Sequence, residues 1–480
     1  MAMHPGPGVP EMVVEPGGAL PGPESHGIDG AGGEWPSSGA AYYALFAIIF
    51  ATFLTFFDQT VFGMLAQRIK VDFQLSDEAL GFIGGPASII FYVLVGIPLA
   101  RLADIYPRKL VLAGGMVATG TVMAVGGLAQ GFGQFVASRM FLGAGGSAHA
   151  PAAYSLLADA FPPRKIPRAF ALLQLGFIGG TTLGIMWGGK LVMMSAGWGD
   201  SPLLGMKVFG WQWLLVYMGL AGMVAAASLL LVKEPVRKLP PGVTSEVPQG
   251  ASFGRKLMTL LGFDALKAIR ARKAVFYPMF GALALSAIET FGLAFWRVPF
   301  MIRSYGWDEA RIGAIMGPMM LVANLIGITF GGVFIEWLGK RYKDANVRGA
   351  AICFGVVTVC AILSPLMPTG ESSLAVMAVG GIFGLAGAVP QNAAIQRIAP
   401  PEMRGQVTAF YLFMFTFFGA MGSQVVGSVA QRIVGNEAEL WKALVITAGM
   451  LLPLATFLMV RAIKPYREEV ERLEASEKPA

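Results

Sequence analysis

Five ionisable residues stand inside long apolar stretches of this chain: Asp58, Arg139, His149, Glu289 and Arg297. If those stretches lie in lipid, each charge near the bilayer centre costs about 2.5–3.5 kcal/mol on insertion scales, so each is expected to face a partner or a water-filled cavity. Asp58 and Arg139 can pair. The guanidinium can instead hold an anionic head group while the carboxylate is released or takes a proton. Glu289 is a candidate proton carrier, and His149 can share that role. Arg297 stands nearer the end of its stretch and can line a cavity or snorkel toward water. The plainer alternatives are a static ion pair, a neutral glutamate packed between helices and a packing histidine.

Other chemistry is poorly supported. Gly184 to Lys190 imitates a phosphate-binding loop, but Leu191 follows where Ser or Thr is needed and no strand precedes it. Histidine otherwise occurs only at His4 and His26, and the two cysteines, Cys353 and Cys360, share one apolar stretch. That leaves no metal-ligand spacing, no disulfide framework and no nucleophile–base set. No cofactor, metal or enzymatic activity is expected.

The elements that position these residues are twelve apolar spans: 41–64, 79–101, 109–129, 132–157, 168–194 and 210–232, then 274–302, 310–337, 349–367, 372–398, 405–433 and 438–462. Each approaches or exceeds the roughly 20 residues that cross a bilayer as helix. Composition agrees: 14% of residues are charged and 55% hydrophobic, whereas an ordinary soluble domain carries about 25% charged residues. The net charge of +7 does not signal nucleic acid, because the bases sit in short loops between spans. With both termini cytoplasmic, 26 Lys and Arg fall on the inner side and 8 on the outer, the bias that orients inner-membrane proteins. Asp58 and Arg139 then lie at matching depth, about 10 Å below the outer ends of their spans.

The expected plan is a disordered cytoplasmic tail at 1–40, a six-helix bundle at 41–232, a cytoplasmic linker at 233–273, a second bundle at 274–462 and a tail at 463–480. Within the linker, bases and apolar residues alternate with helical rhythm from Phe253 to Lys273, as in a helix lying on the membrane surface.

The two bundles repeat. Asp104, three residues, then Arg108 and Lys109 match Glu336, three residues, then Lys340 and Arg341. Asp77-Glu78-Ala79 matches Asp308-Glu309-Ala310, and Asp58 matches Glu289. Duplicated halves of this kind are a transporter architecture.

The loop from Gly96 to Asp104, continued by Arg108 and Lys109, resembles the signature loop of the major facilitator superfamily. Phe57-Asp58-Gln59, Leu75-Ser76-Asp77, Arg139 with Gly143 and Gly145, Pro151 to Ser155, Asp159 to Pro163, Gly210 to Trp213 with Glu234-Pro235, and Trp296, Pro299, Phe300 and Arg303 resemble its spinster branch. The resemblance implies an all-α membrane fold of twelve helices in two pseudo-symmetric six-helix bundles, and proton-linked transport. It also implies that Asp104, Arg108, Lys109, Glu336, Lys340 and Arg341 form a conformational latch, and that Asp58, Arg139 and Glu289 share a central cavity. Three positions depart from the pattern. Gln59 and Ile105 stand where the branch has arginine, and Gly145-Gly146-Ser147 stands where it has Gly-Glu-Ala. With that glutamate missing, Glu289 is the substitute proton carrier.

The expected function is alternating-access transport of a small anionic or amphiphilic organic molecule, lysolipid-like cargo included, by a monomer whose other partners are protons and the lipid bilayer. The alternative is a membrane receptor, sensor or enzyme on the same helices.

Overall fold

The computed structural model describes residues 35–147, 149–199, 201–203, 206–235, 269–399 and 404–477. The tail expected at 1–40 and the surface helix expected at 253–273 lie largely outside these.

The first half contains α1 (Ser38–Asp72), α2 (Asp77–Gly84), α3 (Pro86–Ile105), α4 (Arg108–Gly127), α5 (Phe132–Ser147), α6 (His149–Ala160), α7 (Ile166–Ala196) and α8 (Gly210–Leu230). A two-stranded hairpin, β1 (Ser201–Leu203) with β2 (Met206–Val208), joins α7 to α8. The second half contains α9 (Lys273–Tyr305), α10 (Glu309–Gly339), α11 (Ala345–Leu363), α12 (Gly370–Ile398), α13 (Arg404–Ala420), α14 (Gly422–Val429) and α15 (Leu440–Glu477). Eleven spans among the described residues are long and apolar enough to cross a membrane. The remaining expected span, 132–157, is covered by α5 and α6, which flank the undescribed Ala148.

Local signals set the boundaries. Ser76 accepts a hydrogen bond from Ala79 N (3.1 Å) and so caps α2, with Asp77 and Glu78 in its first turn. Asp308 caps α10 through Arg311 N at 2.7 Å. Gly306, at φ 65°, ends α9 in the left-handed region that glycine enters at little cost.

Two helices outrun their hydropathy. α1 continues two turns beyond 64, because Gln67, Arg68 and Lys70 find polar partners in other helices. α15 continues to Glu477 through the segment expected as a tail. There Tyr466 and Val470 are fully buried, Glu469 bonds Arg272, and Glu474 bonds both Lys343 and Arg397.

These contacts fix the helix directions. Arg68 at the end of α1 meets Glu309, just past the end of α9, so α1 and α9 run the same way. Glu469 of α15 meets Arg272 at the start of α9. The beginning of α1 and the finish of α15 therefore share one end of the bundle, here called the terminal end; the opposite one is the distal end.

The core divides along this axis. Toward the terminal end it forms two separate clusters. One, with Ile48, Leu112, Leu156 and Leu229, belongs wholly to the first half; the other, with Phe276, Val347, Ile395 and Met459, wholly to the second. Toward the distal end a single cluster runs through both halves, from Phe62, Leu65 and Leu80 to Phe295, Trp296 and Met316. Among the described residues, apolar burial thus seals the halves together at the distal end only.

Candidate translocation site

Polar contacts repeat the division made by the core. Arg303 of α9 donates to both oxygens of Asp77 at the start of α2, at 2.9 and 2.8 Å. It also donates to Gln67 of α1 at 2.9 Å. Lys70 adds a third donor to Asp77 at 2.6 Å and reaches Glu437 of the other half at 2.7 Å. Reciprocally, Arg68 of α1 grips Glu309 at the start of α10, at 2.7 and 3.2 Å. Each half thus ends its first long helix on the opening turn of the other half's second. Arg432 and Glu78 form a further cross-half pair.

Backbones also touch here. A Cβ on Gly189 of α7 would lie 1.9 Å from the Glu309 carbonyl, and one on Gly81 of α2 2.5 Å from the Ser423 carbonyl. Trp296 Nε1 donates to the Ser423 carbonyl, and the Ser423 hydroxyl donates to that of Gly81. Among the described residues, every hydrogen bond or ion pair between the halves lies in this distal zone.

The sequence singled out Asp77, Glu309 and Arg303 only as repeat or family positions, and missed Gln67, Arg68 and Lys70. The usable signal was the acid-opened helix, Asp77-Glu78-Ala79 and Asp308-Glu309-Ala310, present once in each half.

Deeper in the first half, α1 runs beside α5 and α6. Thr52 Oγ1 and His149 Nε2 are 2.9 Å apart, and Arg139 stacks its guanidinium 3.7 Å from the centroid of Phe62. These two registers place Asp58 level with Gly143, one turn deeper than Arg139. The equal depth expected from sequence shifts by that turn because α1 is longer than its apolar span.

Asp58 and Arg139 are buried at 8% and 5% exposure, and each charge acts on the other. They nevertheless form no direct ion pair: Asp58 Oδ1 and Arg139 Nε have no hydrogen-bond partner. A cation over an aromatic face gains about 2 kcal/mol when desolvated, which holds Arg139 in place while leaving N–H donors free.

The Thr52 hydroxyl donates to Ile48 O at 2.8 Å. Its lone pair therefore accepts from His149, which puts the imidazole hydrogen on Nε2 and leaves Nδ1 buried without a partner. One turn earlier, a Cβ on Gly146 would meet nothing within 4 Å. The position where the spinster pattern carries glutamate is open space here.

The second half is arranged differently. Glu289 lines a small void together with Leu293, Ala361, Val426, Leu444, Thr447 and Ala448, all of its own half. Among the described residues no contact joins it to Asp58 or Arg139, with which the sequence reading placed it in one central cavity; the turn of α9 that carries it faces α11, α14 and α15. Arg297, two turns on, contacts Met320 Sδ through Nη1, and its Nε is buried without a partner.

The expected latch residues are engaged within their own halves. Arg108 is 2% exposed and pairs with Asp159 and Glu234. Glu234 also accepts from the backbone N–H groups of Arg108 and Lys109, capping α4 at 2.9 and 3.0 Å. Lys109 Nζ donates to the Val232 carbonyl at 2.9 Å. In the second half, Glu336 and Lys340 form an exposed pair at 4.0 Å, and Arg341 lies over Trp337. Asp104 stands in the last turn of α3, and its side chain lies outside the described residues.

Two membrane-sized halves, sealed at one end around buried and unpaired charges, define a membrane transporter. The chain belongs to the Major Facilitator Superfamily, whose family model matches residues 48–423. Within it, the chain resembles the spinster branch: it is 22% identical to Protein spinster of Drosophila melanogaster over 409 residues, covering 82% of this chain and 62% of that one. An MFS-type efflux pump of Mycolicibacterium smegmatis is 27% identical over 416 residues, 85% of this chain and 88% of the pump. The 4-hydroxybenzoate transporter PcaK of Pseudomonas aeruginosa is 25% identical over 422 residues, covering 83% and 88%. Among solved structures, a bacterial homologue of the human lysosomal transporter Spinster, inward-facing and unoccupied, superposes with a TM-score of 0.74 at 21% identity, over 93% of this chain and 100% of that one.

Proposed function

We propose that this protein is an inner-membrane secondary transporter, both termini cytoplasmic, that moves a small anionic or amphiphilic organic molecule by alternating access linked to protons. The observation that carries this reading is the confinement of cross-half bonding among the described residues to the distal end, with two separate clusters toward the terminal end. That is the shape of one state of a rocking pair, open toward the cytoplasm.

Arg139 is the anchor for an anionic group, since its guanidinium keeps unused donors and rests on Phe62. Asp58, one turn away and unbonded, exchanges a proton as that anion comes and goes. Arg297 borders the same translocation path from the second half. The names of the relatives fit such a cargo, since 4-hydroxybenzoate is a small aromatic anion and aromatic rings crowd the spans, Phe56 on Phe177 at 4.5 Å among them.

The test is flux in vesicles holding the purified protein, with a lysophospholipid and an aromatic carboxylate as probes, with and without a pH gradient. Gradient-dependent movement of either probe, lost in Asp58→Asn, is expected. Movement of both at the rate of empty vesicles under either condition overturns the cargo class; movement indifferent to the gradient overturns the proton link.

A further inference from the structure

We propose that Glu289 is a proton site separate from Asp58, set within the second half and completed by one water shared with Thr447. The proposal rests on the two-state reading above but concerns a residue that reading leaves idle.

Glu289 is 6% exposed, and no hydrogen bond joins its carboxyl to any of the described residues. The void beside it measures about 10 Å³, roughly the volume that admits a single water centre. Only two side chains offer polar atoms to it. One is the Glu289 carboxyl; the other is Thr447, whose hydroxyl hydrogen is committed to Ala443 O at 2.7 Å, leaving its lone pairs open. A water placed there can donate to Thr447 Oγ1 and accept from a protonated Glu289. The packed elements bring no titratable or charged group: α11 supplies Ala361, α14 supplies Val426, and α15 supplies Leu444, Thr447 and Ala448. Among the described residues, Arg297, on Glu289's own helix, is the one charge that acts on it, from two turns away. An ionised carboxylate with neither a hydrogen bond nor a paired cation is the costliest state such a niche can hold. Three oxygens at most are too few to dehydrate sodium, so the ion that fits is the proton.

The niche is wired to the distal seal through α14. Val426 walls the void, and its neighbour Gly427 packs on the Asp77 carbonyl of the other half, where a Cβ would lie 2.5 Å away. When the seal opens, α2 withdraws from Gly427 and frees α14, a helix of only eight residues, to shift within its own half, parting the wall of the niche and admitting water to the carboxyl. The sign follows from linkage. A group neutral when the distal end is closed and free to ionise when it is open favours the closed state at low pH, and that preference fades as pH rises. Each such group changes the closed-to-open ratio by at most about tenfold per pH unit.

The experiment places spin labels at Val71→Cys and Ile433→Cys, exposed distal positions on opposite halves, with the buried Cys353 and Cys360 replaced by serine. Distances are recorded against pH in the full-length protein in lipid, without cargo. Two separable steps are expected, one lost in Glu289→Gln and the other in Asp58→Asn. Thr447→Val is expected to keep the first step but move its midpoint. An identical pH profile in Glu289→Gln overturns the site, and an unmoved midpoint in Thr447→Val overturns the shared water. Infrared spectra decide even where the distances do not respond to pH: the wild type at neutral pH is expected to show a deuterium-sensitive carboxylic-acid carbonyl band that Glu289→Gln lacks. A null difference spectrum refutes a protonated Glu289 whatever the fate of the transport reading.

Discussion

Arg303 and Asp77 belong to opposite halves of the chain, yet they share two hydrogen bonds, at 2.9 and 2.8 Å, with both side chains nearly shut off from solvent at 6% and 3% exposure. Removing Asp77 costs about 3–5 kcal/mol, because the buried Arg303 guanidinium is then left without a carboxylate. An exposed pair such as Arg432–Glu78, where the arginine is 70% exposed, contributes about 0–1 kcal/mol. The buried pair therefore decides how firmly the distal end stays closed.

Asp77→Ala is accordingly expected to shift the population toward the distal-open state by two orders of magnitude or more, since each ~1.4 kcal/mol is tenfold. Arg432→Ala should shift it by less than about tenfold. Labels at Val71→Cys and Ile433→Cys report both. Equal distance distributions in the two variants would show that the seal is held by the apolar cluster alone.

Glycines separate closure from folding. Gly189→Ala would drive a Cβ to 1.9 Å from the Glu309 carbonyl across the halves, whereas Gly120→Ala would place one 2.6 Å from the Gly219 carbonyl inside the first half. The first clash is relieved by opening the distal end; the second persists in every state. Gly189→Ala should raise labelling of distal cysteines with little change in thermal stability, and Gly120→Ala should lower the melting temperature with no conformational bias. The reverse pattern would contradict rocking of the halves about the distal seal.

Asp58→Asn and Arg139→Ala are each expected to reduce transport at least tenfold while the protein still reaches the membrane. Arg139→Lys should recover little, because a point charge lacks the planar fork that stacks on Phe62 and meets an anion with two donors. Vesicle flux against surface expression reads all three, and normal flux in both Asp58→Asn and Arg139→Ala would remove the site.

Arg108→Ala removes the nearly fully buried cation that Asp159 and Glu234 share, while Glu234 keeps the backbone N–H groups that open α4. A loss of about 3–5 kcal/mol is expected, read as detergent melting of the purified protein. Lys340→Ala, at an exposed pair with 74% and 77% exposure, should change melting very little. Comparable losses in the two would mean that the repeated loops carry equal weight, contrary to their burial.

Much of this molecule was written in its hydropathy. Apolar length, loop charge and the two-fold repeat place the spans and the ionisable residues within them, because lipid allows a backbone few options other than helix. The same pattern could not show that α1 runs on to Asp72 or that α15 runs on to Glu477, since those turns are stabilised by partners distant in sequence: Glu309 and Asp77 for α1, Arg272, Lys343 and Arg397 for α15.

By itself, then, the sequence determined which residues would be charged inside the membrane; only the tertiary structure decided what each one faces. Asp58 and Glu289 occupy matching repeat positions, yet one lies a turn from a cross-helix arginine and the other beside a water-sized void in its own half. Orientation around a helix axis and the choice of neighbouring helix arise from packing between elements. A one-dimensional pattern of polarity carries no record of which helix stands next to which.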